Sequence, residues 1–195
     1  MKLEVEHWRL FVAIELPADV RKKLKDHIGH LRNALPDVRA SWSREENVHL
    51  TLKFLGDTPV SQIETLSKAA ERASQSARPF ELVVRGCGVF PPRGNPRVLW
   101  VGIEDHSGAL GTLQQALEDE CAKAGFACEQ RSFHPHLTIA RLRKPQGSRQ
   151  LASLHEEIGF ETETVGASAL AVVRSELRNE GSRHTVVARY PFSTQ

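Results

Sequence analysis

The sequence predicts an α+β fold, and three observations carry that reading. Runs with strand-like alternation are interleaved with runs of helical periodicity. The tripeptide His-Leu-Thr occurs twice, at 49–51 and 136–138, each time inside a strand-like run. The order strand, helix, motif strand, helix, strand recurs in the two halves, with His136 lying 87 positions after His49. Taken in order, Arg9 to Leu16 is a strand stopped by Pro17, and Ala18 to Leu35 is a helix with Val20, Leu24, Ile28 and Leu31 near helical spacing. Val48 to Leu55 is the first motif strand, and Gly56-Asp57-Thr58-Pro59 breaks the chain before a helix over Val60 to Ala77. Phe80 to Val89 and Val98 to Ile103 are strands on either side of a proline-rich loop, and Gly108 to Ala124 is the third helix. The second motif strand spans His136 to Leu142 and a short helix covers Ser148 to Glu157. Strands at Thr162 to Val165, Ala169 to Leu177 and Thr185 to Tyr190 close the chain.

Period-two geometry decides which way the motif side chains point. Val48, Leu50 and Leu52 face a core while His49 and Thr51 share the opposite face; Leu137 and Ile139 point inward while His136 and Thr138 do not. The recurring order reads as a duplication, and two half-domains about an approximate two-fold axis set the motif strands side by side with their polar faces lining one groove. Two imidazoles and two hydroxyls then meet a single phosphate. Nine His and nine Thr produce about 0.4 chance His-x-Thr triplets in such a chain, so the triplet alone is weak and its strand context is what counts. A single copy on a strand reads as a surface histidine beside a β-favouring threonine; two copies in matching strands reverse that reading.

Composition narrows the function classes. In 195 residues, 26 basic and 24 acidic side chains leave a net charge of +2, which argues against a protein that coats long nucleic acid but allows a short or terminal piece. Cys87, Cys121 and Cys128 form neither an even disulfide set nor a CxxC pair, so they read as reduced thiols and small buried hydrophobes in a cytoplasmic protein. The apolar run at Leu10 to Leu16 is too short for a signal segment, and no run approaches membrane-spanning length, so no membrane partner is expected. His134 and His136 form an HxH pair, but Pro135 and the lack of a nearby carboxylate or third histidine argue against a metal there. His7, His27, His30, His106, His155 and His184 read as solvated, and Arg85, Arg93 and Arg97 as a solubilising surface. The glycines match neither GxxxxGK[ST] nor GxGxxG, which leaves nucleoside triphosphate use unsupported.

Four segments carry a family resemblance: RLFVAIELP at 9–17, ENVHLTLKFLGD at 46–57, RVLWVGIE at 97–104 and HPHLTIARL at 134–142. They resemble the RNA 2′,3′-cyclic phosphodiesterases, also called 2′-5′ RNA ligases, of the two-histidine phosphoesterase superfamily, in order from residue 9 to about residue 192. Ser175-x-Leu177 and a following Gly fit as well, whereas His184 stands where such proteins often have an aromatic residue. The resemblance implies one domain over 1–195 made of two pseudo-symmetric lobes, each a mainly antiparallel sheet with helices outside, around a central groove. It further implies no metal, no cofactor, and hydrolysis of terminal 2′,3′-cyclic phosphates to 2′-phosphates. RNA 3′ ends, tRNA fragments among them, are the implied partners of a monomer.

The reaction needs a water activated on one side of phosphorus and a proton delivered to the leaving 3′ oxygen on the other, and a pair of imidazoles, one neutral and one protonated, supplies both near neutral pH. By resemblance, His49 is the proton donor and His136 the base. Thr51 and Thr138 donate hydrogen bonds to the non-bridging oxygens. Arg141 matches a position that contacts phosphate, although strict alternation sends it to the wrong face, so a bulge is required. Phe54, at the same offset after His49, reads as a base-stacking platform against the ordinary reading of a core residue. Reversal of the reaction joins RNA halves through a 2′-5′ linkage. Two alternatives stay open: a small-molecule cyclic phosphodiesterase of the same superfamily, and a non-catalytic nucleotide- or RNA-binding module.

Overall fold

A computed structural model describes residues 6–179 and 181–194. Nine strands and four α-helices follow in the order β1 (His7–Glu15), α1 (Ala18–Ala34), β2 (Ala40–Trp42), β3 (His49–Pro59), α2 (Ile63–Gln75), β4 (Phe80–Phe90), β5 (Val98–Glu104), α3 (Ala109–Lys123), β6 (His136–Leu142), α4 (Ser148–Ile158), β7 (Glu163–Ala167), β8 (Ala169–Arg178) and β9 (Gly181–Pro191). The expected α+β class holds. Two details differ: β2 is a strand where none was expected, and β3 runs on through Gly56 to Pro59 instead of breaking there, because β1 extends far enough to pair His7 with Pro59. Neighbour pairing overrides the local turn tendency of Gly-Asp-Thr-Pro.

The strands form two antiparallel sheets, ordered β3-β1-β8-β9 and β2-β6-β5-β4-β7. Setting β3, β1, β8 and β9 against β6, β5, β4 and β7 matches the two orders strand for strand. Each sheet draws on both halves of the chain: β4 leaves the first half to pair with β5, and β8 leaves the second to pair with β1. The helices cross over as well. α2 and α3 pack together behind the four-stranded sheet, while α1 and α4 pack together behind the five-stranded one. The buried stripe of α1 (Val20, Leu24, Ile28, Leu31) and that of α3 (Leu110, Leu113, Leu117, Cys121) repeat at helical spacing. They join one core with Leu50, Leu52, Leu99, Val101, Leu137 and Ile139 from the strands. Covering one face of each sheet with helices leaves the other face open, and the two open faces make the groove. A separate small cluster of Phe11, Ala13, Ala171 and Val173, with Val186 against it, lies on the uncovered side of the four-stranded sheet.

Candidate active site

The motif strands β3 and β6 sit in different sheets and come within 8 Å of each other, Cα to Cα. Between them runs the segment from β2: the backbone N–H of Ser43 donates to the Ile139 carbonyl at 2.9 Å and its hydroxyl to the Thr138 carbonyl at 2.8 Å, after which a 3-10 turn at Glu45–Asn47 leads into His49. The chain itself therefore ties one motif to the other.

Both motif strands break alternation at the same place. In β3 the partners of β1 step from Thr51 to Lys53, leaving Leu52 unpaired, and in β6 the partners of β5 step from Thr138 to Ala140, leaving Ile139 unpaired. A bulge shifts the facing of every residue beyond it. His49, Thr51 and Phe54 thus share one face, opposite Glu15, Ala13 and Phe11, and His136, Thr138 and Arg141 share another, opposite Gly102, Trp100 and Val98. Arg141 reaches the groove by the bulge that its expected role required. Phe54 does too, and at 59% exposure it is not the core residue that its apolar character allowed. The bulge also turns Lys53 to the helix side, where it is 3% exposed and its Nζ donates to Glu118 Oε2 at 2.6 Å and to the Ala127 carbonyl at 2.8 Å.

Each motif histidine is held by an aromatic wall and by a carbonyl two residues upstream. The His49 ring stacks on Phe11 (4.4 Å between centroids, 17° between planes), and the His136 ring meets Phe90 edge-on at 5.1 Å with Trp100 at 6.5 Å. His136 Nδ1 lies 2.7 Å from the His134 carbonyl, which makes it the donor and leaves Nε2 with its lone pair free. The Asn47 carbonyl supports protonated His49 in the same manner. Burial pushes the His49 pKa down to about 4, helped by the like charge of His184 and opposed by the Asn47 carbonyl and the Glu15 carboxylate. His136 is lowered as well, first by burial and then by the charges of Arg141 and His134, with the His134 carbonyl opposing. The influence of Arg141 on His136 places that guanidinium within electrostatic reach of the ring. Glu15 is itself held ionised by Arg189, whose Nε and Nη2 groups donate to its two oxygens at 2.6 and 3.0 Å.

Three histidines expected to be solvated are not. His184, on β9, packs edge-on against both His49 and Phe11 at 5.1 Å, because the pairing of Ser175 with His184 brings it over the groove side of the four-stranded sheet. His27 and His155, on α1 and α4, are 6% and 0% exposed and bonded to each other. The first stands on the buried stripe of its helix at Leu24 plus three, a periodicity signal available in the sequence; the second stands at Leu151 plus four. For His184, alternation back from Val186 was the only such signal. Asn47, whose amide donates to the Ser182 carbonyl at 2.7 Å and so ties β9 to the turn that leads into β3, had none.

The arrangement sets His49 and Thr51 on one face of β3, with Phe54 exposed beside them, and His136, Thr138 and Arg141 on one face of β6. The family model of the 2′-5′ RNA ligase superfamily matches residues 11–179. Among curated proteins, the RNA 2′,3′-cyclic phosphodiesterase of Methanothermobacter thermautotrophicus is 33% identical over 180 residues, covering 91% of this chain and 95% of that one. Among solved structures, TT0787 of Thermus thermophilus matches with a TM-score of 0.78 at 26% identity, covering 94% of this chain and 97% of the other. E. coli LigT complexed with 3′-AMP matches with a TM-score of 0.73 at 27% identity, covering 97% and 100%.

Proposed function

The chain belongs to the 2′-5′ RNA ligase superfamily, and from that premise we infer that it is a hydrolase opening RNA 2′,3′-cyclic phosphate ends to 2′-phosphomonoesters in the groove between its sheets. The observation that carries the reading is the pair of matched bulges at Leu52 and Ile139. Alternation sets a histidine and a threonine on one face of each motif strand, and the bulge adds the residue five places after the histidine to that face. A lone bulge of this kind is a packing detail; two at the same offset in the two motif strands support a two-sided site.

In this reading His136 Nε2, its tautomer set by the His134 carbonyl, takes a proton from the attacking water, and protonated His49 gives one to the departing 3′ oxygen. One P–O bond forms to water as the P–O3′ bond breaks, and the ring strain of the cyclic diester is released. Thr51 and Thr138 donate to the non-bridging oxygens, where charge accumulates, and Arg141 neutralises the same oxygens. Phe54 supports a base of the terminal nucleotide. With an RNA 5′ hydroxyl in place of water, the same base and acid join two RNA ends through a 2′-5′ linkage, the P–O5′ bond forming as the P–O3′ bond breaks. A nucleotide-bound relative, E. coli LigT with 3′-AMP, supports a groove sized for a nucleotide end. All six groups come from one chain, so a monomer suffices. The three thiols are free, which suits the cytoplasm. No helix among the described residues is long and apolar enough to cross a membrane.

The test is incubation of the purified protein, with EDTA present, with a short RNA ending in a 2′,3′-cyclic phosphate, and chromatography of the product. Conversion to a 2′-phosphate is expected, reduced on the order of 10² to 10⁴-fold by His49→Ala or by His136→Ala. Binding of the RNA without turnover would leave a binding module. Turnover confined to a cyclic mononucleotide would move the substrate to the small-molecule class.

A further inference from the structure

Behind the five-stranded sheet, on the side away from the groove, three side chains from three elements converge. His27 comes from the buried stripe of α1, His155 from that of α4 and Cys87 from β4. Their ligating atoms all lie within 4.8 Å of one another. Cys87 is there because of a further bulge. Val84 pairs with Ile103 and Cys87 with Val101, so the extra residue, with Gly86 at φ +75°, turns the thiol to the helix side. His155 is fully buried, and its Nε2–H donates to the Trp100 carbonyl at 2.9 Å. That bond fixes the ring and leaves Nδ1 as the lone-pair nitrogen, which faces His27 Nε2 at 2.9 Å.

We propose that His27, Cys87 and His155 form a binding site for one divalent cation of the zinc class, remote from the catalytic groove. Two nitrogens and one thiolate are a donor set that a borderline-soft ion prefers. Two imidazole nitrogens on one tetrahedral zinc, each at about 2.0–2.1 Å, stand about 3.3 Å apart, so His27 and His155 need to open by only about 0.4 Å to admit the ion. The thiol closes from no more than 4.8 Å to about 3.6 Å, within reach of a side-chain rotation. The Trp100 carbonyl on His155 is the outer bond that metal-binding histidines ordinarily have. The carboxylate of Glu156, next to His155, acts electrostatically on both Cys87 and His155, so a negative charge lies near the donor set. A hydrogen-bonded histidine pair alone accounts for the 2.9 Å contact but not for the thiol and the carboxylate beside it.

Proton balance follows from the tautomers. On metal binding His155 keeps its Nε2–H on the Trp100 carbonyl and coordinates through Nδ1. His27 moves its proton from Nε2 to Nδ1, and Cys87 releases its thiol proton, so about one proton leaves per ion near neutral pH. The ion then clamps α1 and α4 to β4 and, through the Trp100 carbonyl, to the strand that lies beside His136.

The test uses the full chain, stripped with EDTA, reduced and desalted. Titration with Zn²⁺ is expected to show one site per chain, a raised Tm and about one proton released when calorimetry is run in two buffers. Titration with Co²⁺ is expected to give a thiolate-to-cobalt charge-transfer band with tetrahedral d–d intensity. Cys87→Ser abolishes that band, and His27→Gln weakens zinc binding at least tenfold. A band that survives Cys87→Ser comes from another thiol and overturns the proposal, as does the absence of a charge-transfer band in the parent chain. Because Cys87 lies outside the groove, Cys87→Ser is expected to open the cyclic phosphate at the parent rate, which separates this inference from the catalytic reading.

Discussion

At the residue scale, the two motif histidines have opposite protonation demands in a site that lowers both their pKa values. Productive encounter needs His49 charged and His136 neutral. Burial takes His49 to about 4 and His136 below its ordinary imidazole value, so the singly protonated pair is most abundant below pH 6.5. Hence kcat/KM is expected to peak below pH 6.5 and fall about tenfold per unit on the alkaline side. The profile of kcat lies at higher pH, because a bound phosphate anion favours the imidazolium. Matched pH–rate profiles on one cyclic-phosphate oligonucleotide check both statements; coincident profiles centred above about pH 7 contradict them. His184 adjusts the same balance. Its charge lowers His49, and its Nδ1 is buried without a hydrogen-bond partner. His184→Phe removes that charge and keeps a ring against Phe11 and His49. It is expected to raise the pKa of the acidic limb of kcat/KM, read from the same pH–rate profiles.

At the element scale, the bulge in β3 has a structural consequence that the active site alone does not explain. By turning Phe54 to the groove it turns Lys53 inward, and a buried ammonium is tolerable only when paired and fully bonded. Glu118 on α3 and the Ala127 carbonyl do this, and Glu118 Oε2 also accepts the Glu129 N–H at 3.3 Å, so one carboxylate ties α3, β3 and the approach to β6 together. Glu118→Gln leaves the lysine charge without its counter-ion and is expected to cost about 3–5 kcal/mol. The double change Lys53→Met with Glu118→Leu recovers most of that loss, which denaturant midpoints at constant m-value measure. Recovery by the double variant distinguishes charge pairing from packing. In β6 the corresponding position is Ala140, fully buried and needing no partner, so the same bulge there has no such consequence.

At the scale of the whole molecule, the pairing of β4 with β5 and of β8 with β1 makes the two sheets interdependent. The first half alone leaves β1 without β8, and β4 without both β5 and β7. Neither residues 1–95 nor 96–195 expressed alone is therefore expected to unfold cooperatively, whereas the mixed fragments regain both a cooperative transition and turnover. Cooperative folding of one fragment by itself would show that the swapped strands are dispensable. Much of this architecture was legible in the chain. Alternation located eight of the nine strands, three-to-four spacing located the four helices, and facing within each motif put His49 with Thr51 and His136 with Thr138, because these are properties of residues a few positions apart. Short-range pattern also exposed the difficulty with Arg141. Tertiary structure alone decided that a bulge at Ile139 resolves it and that one at Leu52 does the same for Phe54, that His184 lies against His49, and that His27, Cys87 and His155 meet behind the sheet. Each depends on which strand or helix lies alongside, and register with a distant neighbour is set by long-range pairing and packing, which no local period records.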